Sequence, residues 1–145
     1  MTLKIRTRHL QMHQTPEGVT VPLFNSLDPW NAGIVLKMAY VSTIGPGMLK
    51  GPIVHQIRRT IVTSMDAHVK LGVIDPDDGV IHQVDLCDAS GPILVDVGPT
   101  QAVAYRNTGS LPGMIIVLAD HAWSPDEEES VKYDGWEAYL SALKA

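Results

Sequence analysis

The chain has 145 residues, 45% of them apolar, with a formal charge of -5 at pH 7 and a pI near 5.6. That length predicts one domain over residues 1–145 with a core of its own, and the acidic balance speaks against a nucleic-acid or anionic-membrane surface, which needs clustered Lys and Arg. Cys87 is the only cysteine, which excludes an intrachain disulfide. The N-terminal stretch MTLKIRTRHLQMHQ lacks the apolar centre of a secretory signal, and no apolar run approaches the roughly 18 residues that cross a bilayer. A soluble, cytoplasmic protein with no membrane partner is the expectation.

In chain order, short β-rich runs alternate with turn signals: VTVPLF (19–24), GIVLKMAYVST (33–43), GPIVHQ (51–56), TIVTSM (60–65), HVKLGVI (68–74), VIHQVDL (80–86), PILVDV (92–97), AVAYR (102–106) and MIIVLA (114–119). Evenly spaced short strands of this kind are the signature of an all-β sandwich or barrel. Turns are expected at Gly45–Gly47, at DPDDG (75–79), at Ser90–Pro92 and at Thr108–Gly113. The DPDDG segment joins two good strands and reads as a hairpin. Near the C-terminus the period changes. Asp134 and Glu137 have capping-box spacing, and Trp136, Leu140 and Leu143 recur at helical intervals, predicting a short helix over about 135–143. The acidic SPDEEES before it reads as a solvated loop.

Period-2 alternation places Ile53 and His55 on one strand face, and Val103, Tyr105 and Asn107 on one face of another. An inward His and an inward Tyr supply a base and an acid, the pair needed to take a proton from a carbon and return one. Each is equally compatible with a hydrogen-bonded core role. Arg58 and Arg59 are adjacent, so at most one of them points inward. An inward arginine would suit a phosphate or carboxylate, which guanidinium pairs with through parallel hydrogen bonds. His9 and His13 stand at i, i+4 but lack a helical stripe and a carboxylate, so they do not read as a metal pair. His68, His82 and His121 are expected at exposed turns or strand ends. Cys87 reads as a packed thiol, and Trp30 and Trp123 as packing residues or as a stacking surface at the pocket mouth.

Gly47, His55 after KGP, and Asn107 at the end of VGPTQAVAYRN resemble the two short motifs of the cupin barrel. Where cupins place metal ligands, this chain has Ile53, Arg59 or Thr60, and Val103, so His55 alone survives of the usual four. One imidazole does not hold a divalent cation against water, and no metal or other cofactor is expected. PGMLKGPIVH, VGPTQAVAYRNTG and LADHAWSPDEEESVKYDGWEAY together resemble the metal-independent branch that contains dTDP-4-dehydrorhamnose 3,5-epimerase and the dTDP-sugar ketoisomerases. The resemblance spans about residues 45–140.

It implies a single cupin-type barrel, a double-stranded β-helix or jelly roll, with the short C-terminal helix attached. It implies an epimerase or isomerase acting next to the ketone of a nucleotide-activated 4-keto-6-deoxy sugar such as a dTDP-sugar. His55 would be the base, Tyr105 the acid and Asp134 the partner of the base. Lys50, Arg59 and Arg106 would receive the diphosphate, with Asn107 and Trp123 completing the substrate site. The correspondence is uneven: the family's His falls on Ile53, two residues before His55, and its Tyr falls among Ala122, Trp123 and Ser124. A metal-free cupin acting on another small carbonyl compound, or a non-catalytic binding module, stays open. The resembling families also imply a homodimer, and small sheets of this kind commonly hide an edge against a partner.

Overall fold

The computed structural model describes residues 5–74, 77, 79–124 and 130–132. The chain forms β1 (Arg6–His9), β2 (His13–Thr15), β3 (Gly18–Thr20), β4 (Met38–Ile44), β5 (Leu49–His55), β6 (Thr60–Thr63), β7 (Val69–Ile74), β8 (Ile81–Asp85), β9 (Cys87–Asp88), β10 (Gly91–Val97), β11 (Ala102–Asn107), β12 (Gly113–Ala119) and β13 (Ser130–Lys132). A 3-10 turn, Pro29–Asn31, is capped by Asp28, whose carboxylate accepts from the Trp30 backbone N–H. The expected helix over 135–143, with Asp134, lies outside the described residues. Among the described residues no helix is long and apolar enough to cross a membrane.

Two antiparallel sheets face each other. The first runs β1-β10-β6-β12-β4, with β9 added beside β10, and the second runs β13-β5-β11-β7-β8; β2 and β3 form a separate hairpin. From β4 onward the chain passes back and forth between the sheets: β4 in the first, β5 in the second, β6 in the first, β7 and β8 in the second, β10, β11, β12 and β13 alternating thereafter. That winding makes the all-β barrel expected from the spacing of strands.

Alternation decides what fills it. Ile44, Val62, Val95, Val97, Ile115 and Val117 from the first sheet meet Val69, Leu71, Val73 and Val103 from the second in one buried cluster. Burial of this largely β-branched set is the main favourable contribution to the fold, at about 25 cal/mol per Å² of apolar surface. β6 is buried at all four positions because its outer face is covered too. Ile61, Leu94 and Leu118 on that outer face pack against Leu10, Leu23, Phe24, Trp30, Ile34 and Leu36 of the N-terminal segment. The runs VTVPLF and GIVLKMAYVST are therefore only partly strand: Leu23, Phe24, Ile34 and Leu36 are apolar because they cover a sheet, not because they join one.

The expected turns at 45–47 and 108–113 fall between strands, Gly113 opening β12; the one expected at 90–92 lies at 89–90, with Gly91 and Pro92 already in β10, and residues 75, 76 and 78 of DPDDG lie outside the described residues. β7 and β8 pair from Ile74 opposite Ile81 onward, giving the DPDDG hairpin its two strands. His68 and His82 depart from expectation. Both are half-buried, each with an Nε2 shut off from solvent, because His68 packs under Gly109 and His82 lies beside Val73 in the sheet. Cys87 is buried as expected, and burial raises its thiol above the ordinary value.

Candidate functional site

Between the two sheets lies a cavity of about 190 Å³, lined by Tyr40, Ser42, Lys50, Gly51, Ile53, His55, Tyr105, Ile115 and Val117. β5 and β11 supply one wall, β4 and β12 the other. Ile53 and His55 share a face as alternation requires, and Tyr105 joins them from β11.

Lys50 reaches the same face by a different route. Simple alternation would put it with Pro52 and Val54, on the side away from His55. In the register between β11 and β5, however, Val103 stands opposite Ile53 and Tyr105 stands opposite Lys50, so two steps along β11 match three along β5. The extra residue is a β-bulge, which shifts the phase of every side chain before it. Gly51 makes the bulge feasible. Its φ is +102°, and a Cβ there would stand 2.7 Å from the Val103 carbonyl oxygen and 3.1 Å from the Ala104 Cα. Only a residue without a side chain lets the two strands approach so closely. The Lys50 ammonium donates to the Ser42 hydroxyl, and to the Thr43 carbonyl at 3.4 Å.

The other expected site residues are placed elsewhere. Arg59 sits on the outer side of the first sheet, where its Nε donates to Asp96 Oδ1 at 2.8 Å and a terminal nitrogen meets Oδ2 at 2.5 Å. Arg6 approaches the same carboxylate at 2.9 Å. The Asp96 side chain is only 8% exposed. Burial pushes its carboxyl up, but the hydrogen bonds and charges of Arg59 and Arg6 together outweigh this and hold it below the usual carboxylate range. Arg58, not Arg59, is the buried member of the pair, at 4% exposure. Arg106 follows Tyr105 on β11 and so shares the outward face with Ala104, away from the cavity.

Asn107 is fully buried and works as a structural tie. Its Nδ2 donates to the Ile44 carbonyl at 3.0 Å and the Leu111 carbonyl at 2.8 Å, while its Oδ1 accepts from the Gly109 N–H at 2.9 Å. Those bonds close the 108–112 turn and join β11 to the end of β4. Trp123 is 65% exposed just past β12, at the same end of the barrel as His55, with its backbone N–H directed to the Met38 sulfur at 3.4 Å. Trp30 lies on the far side of the first sheet, with the Arg6 guanidinium 4.3 Å from its ring centre.

No protein-family model matches this chain, and no curated protein matches it. Solved structures do. A dTDP sugar isomerase from Desulfovibrio desulfuricans superposes with a TM-score of 0.81 at 16% identity, over 94% of this chain and 87% of that one. A 3′-monoepimerase from Streptomyces bikiniensis, in complex with dTDP-quinovose, gives 0.77 at 14% identity over 94% and 72%. A sugar 3,4-ketoisomerase from Thermoanaerobacterium thermosaccharolyticum, in complex with TDP, gives 0.70 at 16% identity over 99% and 97%. The chain has the cupin barrel fold.

Within this cupin barrel, the sequence reading missed Tyr40 and Ser42. Their signal was present in the alternation of Met38, Tyr40, Ser42 and Ile44 against Ala39, Val41 and Thr43, which the burial of β4 follows. Both lie on the wall opposite His55. The cavity therefore holds an imidazole, an ammonium, two phenols and a hydroxyl over a floor of Ile53, Ile115 and Val117. This set fits a small polar ring with one apolar edge. Among the described residues no three His, Cys, Asp or Glu side chains converge as a metal site needs.

Proposed function

We propose that the protein is a metal-independent epimerase or isomerase acting on a nucleotide-activated 4-keto-6-deoxy sugar. The observation that carries the reading is the convergence of His55, Lys50, Tyr105 and Tyr40 on one cavity of a fold whose solved relatives are dTDP-sugar isomerases and epimerases. The sugar ring enters the cavity, with its C6 methyl on Ile53, Ile115 and Val117 and the nucleotide outside. A neutral His55 takes the proton from the carbon next to the ketone, and the electron pair of that C–H bond forms a C=C bond and moves the carbonyl pair onto the ketone oxygen as an enolate. The enolate collapses by taking a proton back at carbon. In an epimerisation a phenol, Tyr105 or from the wall opposite His55 Tyr40, delivers it to the other face of the same carbon; in a ketoisomerisation the imidazolium delivers it to the former ketone carbon while the hydroxyl proton of the first carbon passes to the former ketone oxygen. Asp134 is assigned as the partner of His55, Trp123 as the stacking surface for the base, and Lys50 as the contact for the diphosphate.

A second reading has one observation in its favour. Of the three basic residues assigned to a diphosphate, only Lys50 lines the cavity; Arg59 is engaged with Asp96 and Arg106 shares the outward face of β11. A small carbonyl compound without a diphosphate would need no more than Lys50. Deuterium uptake separates the two. In heavy water with a dTDP-4-keto-6-deoxyhexose, the first reading requires incorporation into the sugar that His55→Asn abolishes; incorporation no faster than without protein would end it.

Cytoplasmic location and a homodimer belong to the same proposal. A sole, buried cysteine suits a reducing compartment. Edge strand β4 carries exposed Val41, beside exposed Met114 on β12, an edge of the kind that proteins cover. Light scattering on the purified protein should give twice the chain mass.

A further inference from the structure

Among the described residues no backbone ladder joins β4 to β5: β4 pairs with β12, and β5 with β11 and β13. β4 and β5 both line the cavity, one from each sheet. The contact between the Lys50 ammonium and the Ser42 hydroxyl crosses the seam between these two strands. Ser42 is itself fixed, since it stands opposite Ile115 in the β4–β12 register and its hydroxyl is one bond from the backbone-anchored Cβ. Lys50 is the opposite case, a long stem with several rotatable bonds whose position has to be imposed.

We propose that Ser42 is a positioning residue. It holds the Lys50 ammonium at the seam, so that the cavity's fixed positive charge is already in place when the anionic part of a ligand arrives. The inference rests on the reading of Lys50 as the contact for the diphosphate, and it adds the residue that makes that contact effective. Two acceptors, the Ser42 hydroxyl and the Thr43 carbonyl, occupy two of the three ammonium protons. The third remains for a ligand oxygen. Ordering the lysine before binding removes a cost that a free side chain would bear at the moment of association, and it places the charge on the same face as His55 and Tyr105. The bulge at Gly51 and the hydroxyl of Ser42 thus act in series: the first turns the lysine to the cavity, the second fixes its tip.

Two measurements on the intact chain test this. The first needs no ligand. In nitrogen-15 spectra of lysine ammonium groups at low temperature, the resonance assigned through Lys50→Met should be protected from exchange in the wild type. Ser42→Ala should lose that protection and Ser42→Thr, which keeps the hydroxyl, should retain it. The second is a double-mutant cycle on dTDP binding by calorimetry, with inorganic pyrophosphate as the simpler probe. Ser42→Ala should weaken dTDP about tenfold, the size of one charge-assisted hydrogen bond, and should cause no further loss in a Lys50→Met background. Additive losses would show that Ser42 acts on the ligand without Lys50 and would overturn the proposal. Unchanged exchange in Ser42→Ala would overturn it as well. If the wild type binds neither dTDP nor pyrophosphate, the anion role of Lys50 falls and the positioning role falls with it, while protected exchange in the wild type would still establish the contact itself.

Discussion

Tyr105 stands directly opposite Lys50, although Val103, two residues before it, stands opposite Ile53, three residues after Lys50. That single mismatch puts the ammonium on the face that already carries His55 and the Tyr105 phenol. Gly51→Ala is expected to undo it. The added methyl would meet the Val103 carbonyl oxygen at 2.7 Å in a backbone conformation that L-residues avoid, a loss of about 2 kcal/mol by analogy with other strained positions. A lower urea midpoint together with weaker dTDP binding is the expected result. Unchanged values for both would mean that the bulge tolerates a side chain and does not govern Lys50.

The chemistry should divide among three side chains. His55→Asn is expected to lower deuterium uptake by at least about a hundredfold, the usual contribution of a general base. Tyr105→Phe and Tyr40→Phe should have different effects because the residues occupy opposite walls. The variant that lacks the acid should still exchange the proton that His55 handles but should form little inverted product. Following isotope content and product configuration in the same reaction distinguishes them. Full activity in all three variants would remove the residue assignment.

Asp96 gives the fold its clearest pH dependence. Its carboxyl lies lower in the folded chain than in the unfolded one, so the stability it contributes is fully present above the unfolded value of about 3.9 and is lost as the pH falls through the folded value. Asp96→Asn should cost about 2 kcal/mol at neutral pH, since it leaves Arg59 and Arg6 without their charge partner, discounted for the exposure of both arginines. The gap between wild type and variant should narrow as the pH drops below 4. A gap that is constant with pH would show that packing, not charge, is responsible.

Asn107→Ala should act on stability and not on binding. Its three hydrogen bonds close a turn and tie two strands, and leaving the buried partners unsatisfied costs about 3 kcal/mol. Denaturant melts measure this directly. If the variant instead keeps its stability and raises KM, Asn107 belongs to the substrate site after all.

Most of the barrel was legible because it depends on alternation and turn chemistry, both written locally in the chain. Period 2 groups His55 with Ile53 and Tyr105 with Val103, and both groups line or flank the lumen. Lys50 was assigned by resemblance, since alternation points it the wrong way and nothing in LKGPIVH announces a bulge before the partner strand is known. Arg59 was misread for a related reason. Which of two adjacent arginines turns inward depends on where β6 begins, and on the acceptor Asp96, 37 residues farther along the chain. Leu23, Phe24, Ile34 and Leu36 look like strand residues because apolar composition records burial, not hydrogen-bond pairing.

The back-and-forth winding of the chain also bears on how it folds. Among the described strands of the two large sheets, only β7–β8 and β9–β10 join neighbours in sequence; the ladders that build the walls, such as β1–β10, β4–β12 and β5–β11, bring together segments more than 45 residues apart. Loop closure precedes every one of those contacts, so folding in milliseconds to seconds is expected, with the β7–β8 hairpin as the earliest native element. The cavity that holds His55, whose walls come from β4, β5, β11 and β12, would then be among the last parts of the molecule to exist.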